Sequence, residues 1–102
     1  YVQELVSLIP RDEASAFQQK FLAPLLQLDN DEEKAALLKT LQNFFYFHQQ
    51  VAQVARSMYV HRNTIIYRIK KIEELLDIDL ADPQTAQNVQ FALLLNQSMA
   101  DD

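Results

Sequence analysis

The sequence predicts an all-α domain, and three observations carry that expectation. There is no Gly among the 102 residues, where about seven would be ordinary. Apolar residues recur at helical spacing along nearly the whole chain, and no stretch sustains the alternation of a strand. Hairpin turns that depend on Gly are also ruled out. With 49% hydrophobic residues, a chain of this length can bury one core.

The elements follow in order. Val2, Leu5, Val6 and Ile9 share a helical face that Pro10 stops. Glu13 to Leu22 reads as a second helix, with Phe17 and Phe21 one turn apart, ending before Pro24. Leu25, Leu26 and Leu28 then form a short apolar cluster ahead of an acidic turn. Asn30 and Glu33 have capping-box spacing and open a helix that carries Leu37, Leu38, Leu41, Phe44 and Phe45 on one face. That helix is expected to reach about His48, and the run Phe45-Tyr46-Phe47 implies burial on more than one side.

A shorter helix over Gln50–Tyr59 uses Val51, Val54, Ala55 and Met58. After a break near Val60, a strong helix is expected from Arg62 to about Leu76. Ile65, Ile69, Ile72 and Leu76 form its single apolar stripe. Asp77 to Leu80 reads as a loop. Asp82 caps a last helix with Pro83 at its first position, and Val89, Leu93, Leu94 and Leu95 pack it back on the core.

Composition removes several function classes. The chain has no Cys, so it has no disulfide, no thiolate nucleophile and no Cys-based zinc site. Without Gly there is neither a P-loop nor a dinucleotide-binding fingerprint. No apolar run approaches the roughly 18 residues a membrane span needs. The chain opens on Tyr1 and shows no signal-peptide pattern, so it reads as a cytoplasmic fragment of something longer.

Charge is distributed in blocks. The net charge is −5, but Lys34, Lys39, Arg56, Arg62, Arg68, Lys70 and Lys71 occupy residues 34–72 with no acid among them. The flanking stretches are both acidic. A basic block in an acidic protein fits a localised anionic partner. It fits equally a solvated helix face whose bases pair with neighbouring acids.

Residues 50–76 are the informative segment. Two helices joined by a tight turn, the second longer and basic, describe a helix-turn-helix. In that motif the second helix lies in the DNA major groove, with its N-terminal residues at the base edges. With the isoleucine stripe buried, Asn63, Tyr67 and Lys70 point away from it. Ile66 lies on one flank, Thr64 and Lys71 on the other, and Arg62 is in the first turn. Arg suits guanine, Asn suits adenine, and Ile or a Thr methyl suits the thymine methyl. Thr, Tyr and Lys suit phosphates. An ordinary amphipathic helix with snorkelling bases is the competing description.

The stretch Val60-His61-Arg62-Asn63-Thr64-Ile65-Ile66-Tyr67-Arg68-Ile69-Lys70-Lys71-Ile72-Glu73-Glu74-Leu75 resembles the vHRNTlxYRLxxIeeL signature of PucR/CdaR-type bacterial transcription regulators. The similarity extends upstream through Phe21–Leu26 and Leu37–Leu41, and downstream through Asp79–Pro83 and Ala92-Leu93. It spans roughly residues 17 to 95, most of the chain. The resemblance implies an all-helical C-terminal domain built around a helix-turn-helix similar to the Fis DNA-binding unit. It implies a leading base contact for Arg62, a backbone contact for Thr64 and a groove-facing place for Tyr67, with His61 at the mouth of the recognition helix. The chain departs from the pattern in four places. Val54 stands where Thr is usual and Gln50 where Asn is frequent. Leu76-Asp77 replaces Thr-Gly, and Ala23 replaces a common Gly.

Other candidates carry less. His48 and His61 have no Cys or converging acids to complete a metal site. Asp77, Asp79 and Asp82 hint at a calcium loop, but Ala81, Asp82 and Asn88 stand where a ligand, Gly and Glu belong. Glu73 and Glu74 are adjacent on a helix and diverge, which is unsuited to acid–base work. Ser7, Ser15, Ser57 and Ser98 lack a nucleophile context. No enzyme and no cofactor is expected.

The sequence-based expectation is therefore a single helical DNA-binding domain over residues 1–102, with its helix-turn-helix at about 50–76. Its partner is double-stranded operator DNA, and the longer regulator is expected to be a homodimer. The DNA-facing set is His61, Arg62, Asn63, Thr64, Ile66, Tyr67, Arg68, Lys70 and Lys71. A helical module for protein–protein interaction or dimerisation, without DNA binding, is the alternative.

Overall fold

A computed structural model describes residues 1–100, with side chains through Asn96; the Ser98 side chain, Asp101 and Asp102 lie outside the described residues. Six helices and no strand occur among them: α1 (Val2–Val6), α2 (Arg11–Leu26), α3 (Asp31–Tyr46), α4 (Val51–Met58), α5 (Arg62–Leu76) and α6 (Pro83–Ala100). The all-α expectation holds. The chain divides into two compact units, Pro24–Ile78 and Tyr1–Ala23 with the chain from Asp79 onward.

In the unit formed by the two ends of the chain, α1 packs on α6. Val6, Ala14 and Leu95 are buried together, with Ile9, Phe17 and Phe91 against them. Phe17 meets Phe91 edge-on at 5.5 Å between ring centroids, a favoured aromatic geometry. The buried Gln18 amide donates to the Asn96 side-chain oxygen, so this polar group is paired where burial would otherwise penalise it. Asp82 caps α6 as its spacing predicts, its carboxylate accepting from the Thr85 N–H at 3.0 Å and the Thr85 hydroxyl at 2.7 Å.

The other unit is built from α3, α4 and α5, each packed against the other two. Leu37, Leu41 and Phe44 of α3, Val54 and Ala55 of α4, and Ile65, Ile69 and Ile72 of α5 are buried. Asn30 caps α3 by accepting from the Glu33 N–H at 3.0 Å.

Several boundaries differ from the sequence-based expectation, for identifiable reasons. α1 stops at Val6, because Ser7 donates its hydroxyl to the Glu4 carbonyl and the next residues close in turns toward Pro10. α2 runs through Pro24 to Leu26. Pro24 removes one backbone donor within the last turn, while Leu22 and Leu25 on either side are fully buried, and that burial holds the turn. α3 ends at Tyr46 rather than near His48. In the aromatic run Phe45 and Phe47 are half-buried, whereas Tyr46 is 76% exposed. Leu76, expected in the buried stripe, is half-buried at the end of α5.

A chain without Gly still needs left-handed residues to end its helices. His48, Tyr59 and Asp77 take that role, with φ of 55°, 57° and 53°. In each case the following N–H reaches back to a helix carbonyl: Gln49 to Phe44 at 2.7 Å, Val60 to Ala55 at 3.1 Å and Ile78 to Glu73 at 3.0 Å. A Cβ in this region is penalised and Gly is not. Asp77→Gly is therefore expected to stabilise the fold by roughly 0.5–1 kcal/mol, read as a higher urea midpoint with an unchanged slope.

Candidate nucleic-acid interface

The helix-turn-helix consists of α4, the turn Tyr59-Val60-His61 and α5. Val54 and Ala55 anchor α4, and the Val60 N–H bond to Ala55 tightens the exit from it. His61 then caps α5: its Nδ1 accepts from the Asn63 N–H at 3.0 Å, and its carbonyl accepts from the Thr64 N–H at 2.9 Å. An accepting Nδ1 places the ring proton on Nε2 of this exposed ring.

Along α5 the burial follows the predicted stripe. Ile65, Ile69 and Ile72 face inward, whereas Arg62, Asn63, Tyr67 and Lys70 are exposed, as is the capping His61. Tyr67 is 63% exposed, so a large ring stands on the outer face. Thr64, Ile66, Arg68 and Lys71 are half-buried on the flanks. All nine sequence-predicted residues thus fall on one continuous stretch from the cap to the third turn of α5.

Besides the capping His61, two of the nine are engaged with α3. Arg68 Nη1 donates to Thr40 Oγ1 at 3.4 Å, and Thr40 donates to the Ala36 carbonyl at 2.7 Å. Lys71 forms an ion pair with Glu33 at the start of α3. That hydrogen bond raises the Lys71 pKa above the ordinary lysine value of 10.5, against an opposing effect of desolvation and with a smaller contribution from Tyr67. The folded ammonium thus holds its proton more tightly than the unfolded one. Its contribution to stability is complete below the unfolded pKa and is lost as pH rises through the raised folded value.

Sequence reasoning missed these partners. Thr40 was visible as a lone polar residue on the apolar face of α3, fully buried beside Leu37 and Leu41. Glu33 carried no signal toward Lys71, because only the packing of α3 on α5 brings them together. Ser57 and Asn43 likewise join α4 to α3 at 3.3 Å. Asp79 and Asp82, two of the three calcium-like acids, serve backbone turns, accepting from the Ala81 and Thr85 N–H groups.

Residues 37–95 match the family described as the PucR C-terminal helix-turn-helix domain. The chain belongs to that family. The matched region of this PucR-type domain includes the larger part of α3 and the whole of α4 and α5. Among its relatives is the purine catabolism regulatory protein of Bacillus subtilis, 38% identical over 94% of this chain and 18% of that protein. The proline-responsive transcriptional activator PutR of Bacillus subtilis is 34% identical over 89% of this chain and 22% of its own length. The carbohydrate diacid regulator of Escherichia coli is 30% identical over 72% of this chain and 19% of its own. The chain thus spans about a fifth of the length of these regulators. No solved structure matches it. The PucR-type domain seen here is the helix-turn-helix domain of transcription regulators.

Proposed function

We propose that this chain is the DNA-binding effector domain of a PucR-type transcription regulator and reads operator DNA by laying α5 in the major groove. The observation that carries this reading is the division of α5 into a buried isoleucine stripe and an exposed polar face beginning at its N-terminus. Arg62 meets a guanine edge and Asn63 an adenine edge, with Ile66 against a thymine methyl. Thr64, Tyr67, Lys70 and the His61 Nε2–H meet the sugar–phosphate backbone. Arg68 and Lys71 reach phosphates only by leaving Thr40 and Glu33. Residues 1–102 act as one DNA-binding domain of a longer cytoplasmic regulator, which binds as a homodimer across half-sites about 34 Å apart. Among the described residues no helix is long and apolar enough to cross a membrane.

The test is a titration against genomic DNA fragments at a series of salt concentrations. Binding is expected to weaken steeply with salt, since each neutralised phosphate releases counterion. An interaction that hardly responds to salt, or no binding, favours the protein–protein module instead. The Lys71–Glu33 pair supplies a finer check. Glu33→Gln frees Lys71, so affinity for mixed-sequence DNA is expected to rise at low salt and the salt slope to steepen by up to about one unit.

A further inference from the structure

Tyr59 sits in the turn between α4 and α5 with φ 57° and ψ 41° and is 95% exposed. The backbone conformation ends α4, but the exposed ring adds nothing to the packing. The left-handed backbone is penalised for any residue with a Cβ, and most of all for a bulky one. A ring left in water contributes no burial. Neither the ring nor the hydroxyl of Tyr59 engages another side chain among the described residues. Gly would end α4 more comfortably, as it would after α5.

The position of this ring gives it a use outside the folded chain. Two residues further on lies the cap His61, followed by Arg62, both exposed. Tyr59 therefore borders the end of α5 that enters the groove. On α4, Val54 is fully buried and has no means of reaching a phosphate. We propose that Tyr59 is a DNA-backbone contact, its phenol donating to a phosphate oxygen and its ring lying on the adjoining deoxyribose, beside the groove that α5 occupies. This rests on the DNA-binding reading above and extends the contact surface back into the turn. The left-handed backbone that ends α4 also carries this side chain outward, in keeping with strain at functional sites.

A phenol is a neutral donor. Its contact strengthens binding to every sequence without releasing a counterion, so it leaves the salt slope alone, whereas a lysine contact adds to it. The experiment measures thermal stability and salt-dependent binding of a short mixed-sequence duplex for the parent, Tyr59→Gly, Tyr59→Asn, Tyr59→Phe and Lys70→Ala. Tyr59→Gly is expected to melt a few degrees higher and yet bind about threefold to tenfold more weakly at every salt concentration, with the parental slope. Tyr59→Asn, which tolerates the same backbone, is expected to lose as much affinity. Tyr59→Phe is expected to melt with the parent and show a smaller loss. Lys70→Ala lowers the slope by about one unit.

The proposal is overturned if Tyr59→Gly binds as tightly as the parent or melts lower. It is overturned also if Tyr59→Asn binds like the parent while Tyr59→Gly does not, since a loosened turn then explains the loss. Parental binding by Tyr59→Phe removes the phosphate bond and overturns the contact as stated. A parent that binds no duplex retires the DNA-binding reading itself, so the two failures are distinct.

Discussion

Replacing Ile72 with Ala is expected to lower the unfolding free energy by about 2–5 kcal/mol. Ile72 is fully buried on α5. Its loss removes the transfer free energy of the deleted carbons and leaves a cavity that three closely packed helices close only in part. For a small domain of roughly 5–15 kcal/mol total stability, that is a large share. The melting temperature should fall by on the order of 10 °C or more. Tyr67→Ala, on the opposite face of the same helix, should stay within about 0.5 kcal/mol of the parent. Urea unfolding of both variants checks the orientation of α5. An Ile72→Ala protein as stable as the parent would mean that the stripe is not buried.

The second large effect concerns recognition rather than stability. Arg62→Ala is expected to weaken binding to a selected operator by about 1–3 kcal/mol and to relax preference at one base pair. Arg62 is exposed in the first turn of α5, so the variant should melt with the parent. Its forked guanidinium matches the two acceptors of guanine, a match that a truncated side chain cannot replace. Lys70→Ala should behave differently, weakening selected and scrambled duplexes alike. Equal binding of both duplexes by Arg62→Ala and by the parent would remove sequence reading from this helix.

The start of a helix was more legible in this sequence than its end. Asn30 and Asp82 are signals held in single side chains, and each caps a helix where the sequence predicts; α5 likewise starts at Arg62, after the expected break. The ends of α3, α4 and α5 use left-handed His48, Tyr59 and Asp77, residue types that do not announce this role as Gly does. This is why α3 was expected to continue past Tyr46. Pro24 misled in the opposite sense, since burial of its neighbours outweighs the loss of one donor near a helix end.

Much the same division applies to the candidate site. The outward set on α5 follows from a period of about 3.6 residues once the isoleucine stripe is fixed. The ties of Arg68 to Thr40 and Lys71 to Glu33 depend on how α3 lies against α5, and local spacing carries no such information. Tyr59 was passed over because nothing in its type or spacing marks it. Its left-handed backbone and full exposure appear only in three dimensions.

Methylation interference on a selected operator tests most directly whether α5 reads bases in the major groove. Dimethyl sulfate modifies guanine at N7, on the major-groove edge, and adenine at N3, on the minor-groove edge. Duplexes methylated at a guanine N7 within the site are expected to be depleted from the bound fraction of the parent, and for Arg62→Ala that depletion should vanish at one guanine. Depletion at adenine N3 alone, or no depletion at any guanine, would contradict major-groove recognition by α5.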